Sequence, residues 1–219
     1  MRLNLRLSPN TAPVPFDHLH QLTGALHKWL GANDVHDGLS LYSFGWLKKS
    51  ERRGNALAFP RGAVWRVTFS DPLLAATVQS GMLRDPSVAF GMEVEEATPQ
   101  RPPDFTGPYR FRVDGPVLVR KKREDGTRAH LSYDDPDASG ELTRALRRKL
   151  EVAGLDPDGA RVEFDAGGTT VRTKVARIKG TAYKGNLCPV VITGSPEAVR
   201  FAWCVGVGDL TGSGFGALR

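Results

Sequence analysis

The chain has 219 residues, 40% hydrophobic and 25% charged; this balance excludes an intrinsically disordered protein and allows one large core or two cores of roughly a hundred residues each. Thirty Lys and Arg against 24 Asp and Glu leave a net charge of +6, a modest excess that points to a polyanionic partner only where the basic residues cluster. Cys188 and Cys204 are too few for a disulfide framework and lack metal-ligand spacing, and no apolar run approaches the roughly twenty residues of a membrane span, so a cytoplasmic protein with no membrane association is expected.

The opening Met1-Arg-Leu-Asn-Leu-Arg-Leu7 alternates polar with apolar and predicts a strand with Leu3, Leu5 and Leu7 inward. Prolines 9 to 15 interrupt it. Asp17 is the expected N-cap of a helix whose Leu19, Leu22, Leu26 and Leu30 recur at helical spacing until Gly31, and this helix carries His18, His20 and His27. A short connector containing His36 leads to Leu39–Trp46, then to a basic turn with Lys48, Lys49, Arg52 and Arg53. Strands are expected at Leu57–Phe59 and Ala63–Phe69. Asp71-Pro72 has the signature of a helix start, with Leu73, Leu74, Val78 and Met82 as the buried face, and Ser87–Glu96 follows as a strand. Strand, helix, two strands, helix, strand is the ferredoxin-like unit.

The four prolines of residues 97–108 read as a linker. Beyond it come strands at Tyr109–Val113, Val117–Val119, Arg161–Phe164, Val171–Ile178 and Val190–Thr193. A charged segment spans Arg120–Arg128. A helix at Asp137–Val152 is expected to turn Leu142, Ala145, Leu146 and Leu150 inward and Arg144, Arg147, Arg148 and Lys149 outward, and a final helix starts at Ser195-Pro196. The fold class expected is therefore α+β, two tandem ferredoxin-like units with antiparallel sheets, divided as 1–100 and 109–219.

The chain ends Gly206-Val-Gly-Asp-Leu-Thr-Gly-Ser-Gly-Phe-Gly-Ala-Leu-Arg219. Such a loop can approach a ligand closely and present backbone N–H groups to phosphate. A dinucleotide-binding loop is excluded by order: a helix precedes it, too few residues follow it, and Thr211 stands where the third glycine belongs.

This ending after an apolar helix resembles the C-terminal motif of the CRISPR-associated endoribonucleases that cut precursor CRISPR RNA, members of the repeat-associated mysterious protein superfamily. The form G-x-G-x-x-x-x-x-G-F-G is matched by Gly206, Gly208, Gly214, Phe215 and Gly216, with Gly212 an additional glycine. Supporting matches lie at the first strand, at His27 in the last turn of the first helix, at Leu41-Tyr-Ser43, at Gly115-Pro-Val-Leu-Val119 and at Lys179-Gly-Thr-Ala-Tyr-Lys-Gly185. The resemblance implies cofactor-free, metal-independent cleavage of CRISPR repeat RNA, with effector-complex subunits and a second copy of the chain as further candidate partners. A non-catalytic RNA-binding subunit of a CRISPR effector complex is the alternative.

In metal-free cleavage the ribose 2′-hydroxyl attacks the phosphate in line, a base removes its proton and an acid protonates the 5′-oxygen, leaving a 2′,3′-cyclic phosphate and a 5′-hydroxyl. Histidine suits both proton transfers. On the resemblance, His36 is the expected acid or base with His27 as its partner, the two roles being unassigned, and Tyr42 and Ser43 assist. Phosphate contacts are expected from Lys48 and Lys49, from the cluster Arg120, Lys121, Lys122 and Arg123, from Lys174, Arg177, Lys179 and Lys184, and from the glycine loop at 206, 208, 212, 214 and 216.

Overall fold

A computed structural model describes residues 1–31, 39–167 and 170–219. Chain order begins with β1 (Arg2–Leu7), whose alternation buries Leu3, Leu5 and Leu7, and a short β2 (Val14–Pro15). Helix α1 (Leu19–Leu30) buries Leu19, Leu22, Ala25, Leu26, Trp29 and Leu30 along one stripe. Its N-cap is His18, not Asp17, and makes no side-chain capping bond. The imidazole is instead buried, with Nδ1 2.9 Å from the Pro15 carbonyl oxygen.

After β3 (Tyr42–Phe44) comes a hairpin of β4 (Glu51–Arg53) and β5 (Ala56–Ala58), to which β2 adds. The unit continues with β6 (Ala63–Phe69), α2 (Pro72–Arg84) and β7 (Val94–Gln100). Asp71 caps α2 as expected, Oδ1 accepting from Leu73 N at 2.8 Å. The buried face is Ala75, Val78, Gly81 and Met82, while Leu73 is 75% exposed. Two residues of helix turn through about 200°, which carries Leu73 away from the stripe that Ala75 begins. Strand β7 starts later than expected and runs into the proline-rich stretch. Pro99 is tolerated because β7 is an edge strand paired only with β1. The sheet order is β3-β6-β1-β7, antiparallel throughout.

The second half starts with β8 (Tyr109–Phe111), then a hairpin of β9 (Arg120–Lys122) and β10 (Arg128–His130), then α3 (Ala138–Val152) and β11 (Arg161–Phe164). A second hairpin, β12 (Arg172–Ile178) and β13 (Thr181–Leu187), turns on Lys179 and Gly180, both at positive φ, the geometry of a tight two-residue hairpin turn. Strand β14 (Val190–Thr193) and α4 (Pro196–Val205) complete the elements. The sheet β11-β14-β8 gains the chain end at its edge: the Arg112 N–H donates to the Arg219 carbonyl oxygen at 3.1 Å and the Arg219 N–H to that of Arg112 at 2.8 Å. Both halves thus place their first strand between the third and the last, the ferredoxin-like order.

Each half has its own core, but Leu118, Ala176 and Phe215 from the second half pack into the core of the first. The buried Arg2 guanidinium binds them further, stacking 3.9 Å over the Trp203 ring and donating to Thr68 Oγ1 at 3.0 Å and to the Leu218 carbonyl oxygen at 2.5 Å. Among the described residues no helix is long and apolar enough to cross a membrane.

Candidate functional site

The last turn of α1 and the first residue of β3 face each other, so that His27 Nε2 lies 3.0 Å from the Tyr42 hydroxyl. His27 is half-buried, Tyr42 buried. Burial pushes the Tyr42 pKa up to about 12, with a hydrogen bond from Ser40 working in the other direction. Near neutral pH Tyr42 is therefore a neutral phenol, a hydrogen-bond donor rather than a base.

The glycine loop closes against this pair. After α4 the chain makes a short turn of 3-10 helix at Thr211–Ser213. The Thr211 hydroxyl donates to the Tyr42 carbonyl oxygen at 3.0 Å. A Cβ on Gly212 would stand 2.8 Å from the Tyr42 hydroxyl oxygen and 2.5 Å from Ser40 Oγ, so any side chain there would displace one or both hydroxyls. The two ends of the loop cross: Val207 N–H donates to the Gly216 carbonyl oxygen at 3.0 Å, and a Cβ on Gly216 would meet the Val207 oxygen at 1.9 Å. The expectation that the loop offers its N–H groups as a row to phosphate changes accordingly. Those of Val207, Asp209, Ser213 and Gly216 are spent on the Gly216, Leu118, Leu210 and Pro116 carbonyl oxygens, and Gly206, Gly208, Gly212, Gly214 and Gly216 are all buried.

The other expected site residues are dispersed. His36 lies outside the described residues. Ser43 is buried and donates to the Cys204 carbonyl oxygen at 3.0 Å, on the opposite side of β3 from the His27–Tyr42 contact. Lys48 ties the two halves together, its ammonium 3.0 Å from the buried Asp114 carboxylate, which Arg66 also contacts at 3.2 Å. Lys49 is exposed. Lys174, Arg177, Lys179 and Lys184 all project from the β12–β13 hairpin into solvent.

Around β9 the structure adds what sequence order conceals. Lys121, Lys122 and Arg128 of the hairpin face Arg144 and Arg148 of α3 across a cleft of about 460 Å³ whose floor includes Gly208 and Asp209 of the glycine loop. Arg120 is pinned to Asp209 at 2.9 Å and Lys121 to Asp137 at 2.5 Å, which raises the Lys121 pKa. Lys122, Arg128 and Arg148 take part in no ion pair among the described residues. A larger cleft of about 670 Å³ between Pro72, Arg101, Ala153 and Phe201 contains none of the expected site residues. Among the described residues no group of three or more His, Cys, Asp or Glu side chains is arranged to hold a metal ion.

Lys149, expected on the outer face of α3, points inward. It is 3% exposed and donates to Thr211 Oγ1 at 3.0 Å and to the Val205 carbonyl oxygen at 3.3 Å. Its spacing already contained the signal, since it lies three residues after Leu146 and seven after Leu142, on the apolar stripe.

Two ferredoxin-like units closed by a buried C-terminal glycine loop define a two-unit α+β protein with antiparallel sheets. The family model described as CRISPR associated protein Cas6, C-terminal, matches residues 100–219, and the chain belongs to the Cas6 family. A solved structure described as a Cas6-related gene from Pyrococcus furiosus superposes with a TM-score of 0.86 at 19% identity, covering 100% of this chain and 97% of that one. A RAMP protein described as binding different RNA substrates gives 0.84 at 17% identity, covering 100% and 98%. A CRISPR endoribonuclease Cse3 bound to a 19-nucleotide RNA gives 0.51 at 16% identity, covering 100% and 97%. No curated protein sequence matches the chain.

Proposed function

We propose that this protein is a metal-independent endoribonuclease that cuts CRISPR repeat RNA in precursor transcripts, leaving a 2′,3′-cyclic phosphate and a 5′-hydroxyl. The observation that carries the reading is the His27–Tyr42 pair, closed against Gly212 of the family's own glycine loop. His27 supplies an imidazole, the side chain suited to either proton transfer. Tyr42, neutral at that pH, orients the imidazole or donates to the phosphate oxygen on which charge grows. His36 is the second acid or base, in the connector between α1 and β3 whose ends lie beside the pair. The RNA backbone is held by the basic cleft of β9, β10 and α3 and by the exposed cations of the β12–β13 hairpin. The division into units at 1–100 and 109–219 belongs to the same reading, with the cleavage groups in the first unit and the loop in the second.

The test is incubation of the purified protein with its cognate repeat RNA in EDTA. Cleavage with a cyclic phosphate end is expected, lost in His36→Ala and His27→Ala. RNA that binds but stays intact in the wild type would leave a non-catalytic RNA-binding subunit.

A further inference from the structure

A lysine without a carboxylate partner is rare in a protein interior, because removing an ammonium from water costs several kcal/mol unless something compensates it. Lys149 is such a residue, and the groups around its ammonium are neutral oxygens: Thr211 Oγ1 at 3.0 Å, the Val205 carbonyl at 3.3 Å and the Gly206 carbonyl at 3.5 Å. They match the three donors of an ammonium group. Two of them belong to the C-terminal end of α4, where the helix dipole presents its negative pole. These oxygens, with the Asp209 carboxylate acting at longer range, offset the burial in part, and the side chain fixes one segment, the start of the glycine loop.

What the loop does with that fixing is specific. A threonine hydroxyl has one proton and two lone pairs. Lys149 occupies a lone pair of Thr211 Oγ1, so the hydroxyl proton is left to point at the Tyr42 carbonyl oxygen, 3.0 Å away. The next residue, Gly212, abuts the Tyr42 hydroxyl at the other end of the same side chain. One turn of chain therefore holds Tyr42 at both its backbone and its phenol, and the phenol meets His27 Nε2.

We propose that Lys149 is a positioning residue for the cleavage centre: through the Thr211 hydroxyl it sets the placement of Tyr42 against His27. The inference rests on the reading of His27 and Tyr42 as cleavage groups. Lys149 itself touches neither RNA nor the reacting atoms.

The full-length protein is tested as Lys149→Met, Thr211→Val and the double variant, with three readouts: kcat and KM on repeat RNA, the NMR resonances of the His27 ring, and the melting temperature. Expected for each single variant is a kcat loss between about threefold and tenfold, the range of one hydrogen bond, with KM unchanged and the His27 resonances shifted. The melting temperature verifies that each variant is folded under the conditions of the other two readouts. The double variant should lose no more than the worse single one. Independent, multiplying losses would overturn the relay through Thr211, and unmoved His27 resonances would overturn the positioning role. Should Lys149→Met fail to fold, Thr211→Val decides by the same readouts. A wild type that leaves RNA uncut removes the cleavage reading alone; the resonances still support or overturn the control of the His27–Tyr42 contact by Lys149.

Discussion

The Tyr42 hydroxyl lies 3.0 Å from Nε2 of His27, fifteen positions earlier in the chain. The contact couples an imidazole to a phenol held neutral by burial. Replacing His27 with alanine should lower the single-turnover cleavage rate by about two to four orders of magnitude, the range of general acid–base effects. Tyr42→Phe keeps the packing and removes only the hydroxyl, so a loss nearer to about tenfold is expected. Repeat-RNA affinity, measured by filter binding, should stay within a few fold in both; a collapse of affinity would assign the pair to binding instead.

The cleft between the β9–β10 hairpin and α3 makes a separate prediction about affinity. Arg148 and Lys122 are without ion-pair partners among the described residues, so their charges are available to phosphate. Arg148→Ala with Lys122→Ala should weaken binding and lower the slope of log K against log salt by roughly 0.7 per lost single-strand contact. The rate at saturating RNA should not change. An unaltered slope would remove this cleft from the RNA path.

Burial pushes the Lys149 pKa from its ordinary 10.5 down to about 7, so the folded chain holds fewer protons there than the unfolded chain between those values. Stability then rises with pH through that window, the sign required when the unfolded state binds more protons. Between pH 7.5 and 8.5 the wild type should gain about 1 kcal/mol relative to Lys149→Met. Urea denaturation of both proteins at the two pH values measures the difference, in which the buried Cys188 and Cys204 thiols, raised by desolvation in each, cancel. Parallel curves would mean that Lys149 keeps its proton in the folded state as it does in the unfolded one.

Gly216 has φ +62°, and an added Cβ would collide with a backbone oxygen that cannot move away. Gly216→Ala should cost on the order of 2 kcal/mol or more and lower the melting temperature by roughly 5 °C or more. Gly126, at φ +81° with open space around it, is the control and should cost only about 1 kcal/mol as alanine. Equal losses would show that backbone conformation, not the crossing of the loop, demands glycine at 216.

Much of the architecture is legible locally because it rests on local periodicity. The alternation of Leu3, Leu5 and Leu7, the Asp71-Pro72 start of α2 and the spacing along α1 each bury apolar area in the only way their geometry allows. The β12–β13 hairpin is less legible: β13 is Thr-Ala-Tyr-Lys-Gly-Asn-Leu, largely exposed at its start and without a clean apolar alternation. Its strand character comes from pairing with β12, which no window of sequence contains.

The sequence by itself determines that there are two ferredoxin-like units and a C-terminal glycine loop, and its family resemblance singles out His36 and His27, with Tyr42 and Ser43 as assisting candidates. The units and the loop follow from hydrophobic period, turn residues and the G-F-G ending; the candidate side chains follow from the resemblance alone. Tertiary structure alone decides that Tyr42 reaches His27 while its neighbour Ser43 faces α4, that the cations of α3 and β9 share one cleft, and that Lys149 lies beneath the loop. The reason is physical. Period places a residue on a face of its own element, whereas a contact between side chains depends on how distant elements dock, and the worth of a buried charge depends on which oxygens the docking puts around it.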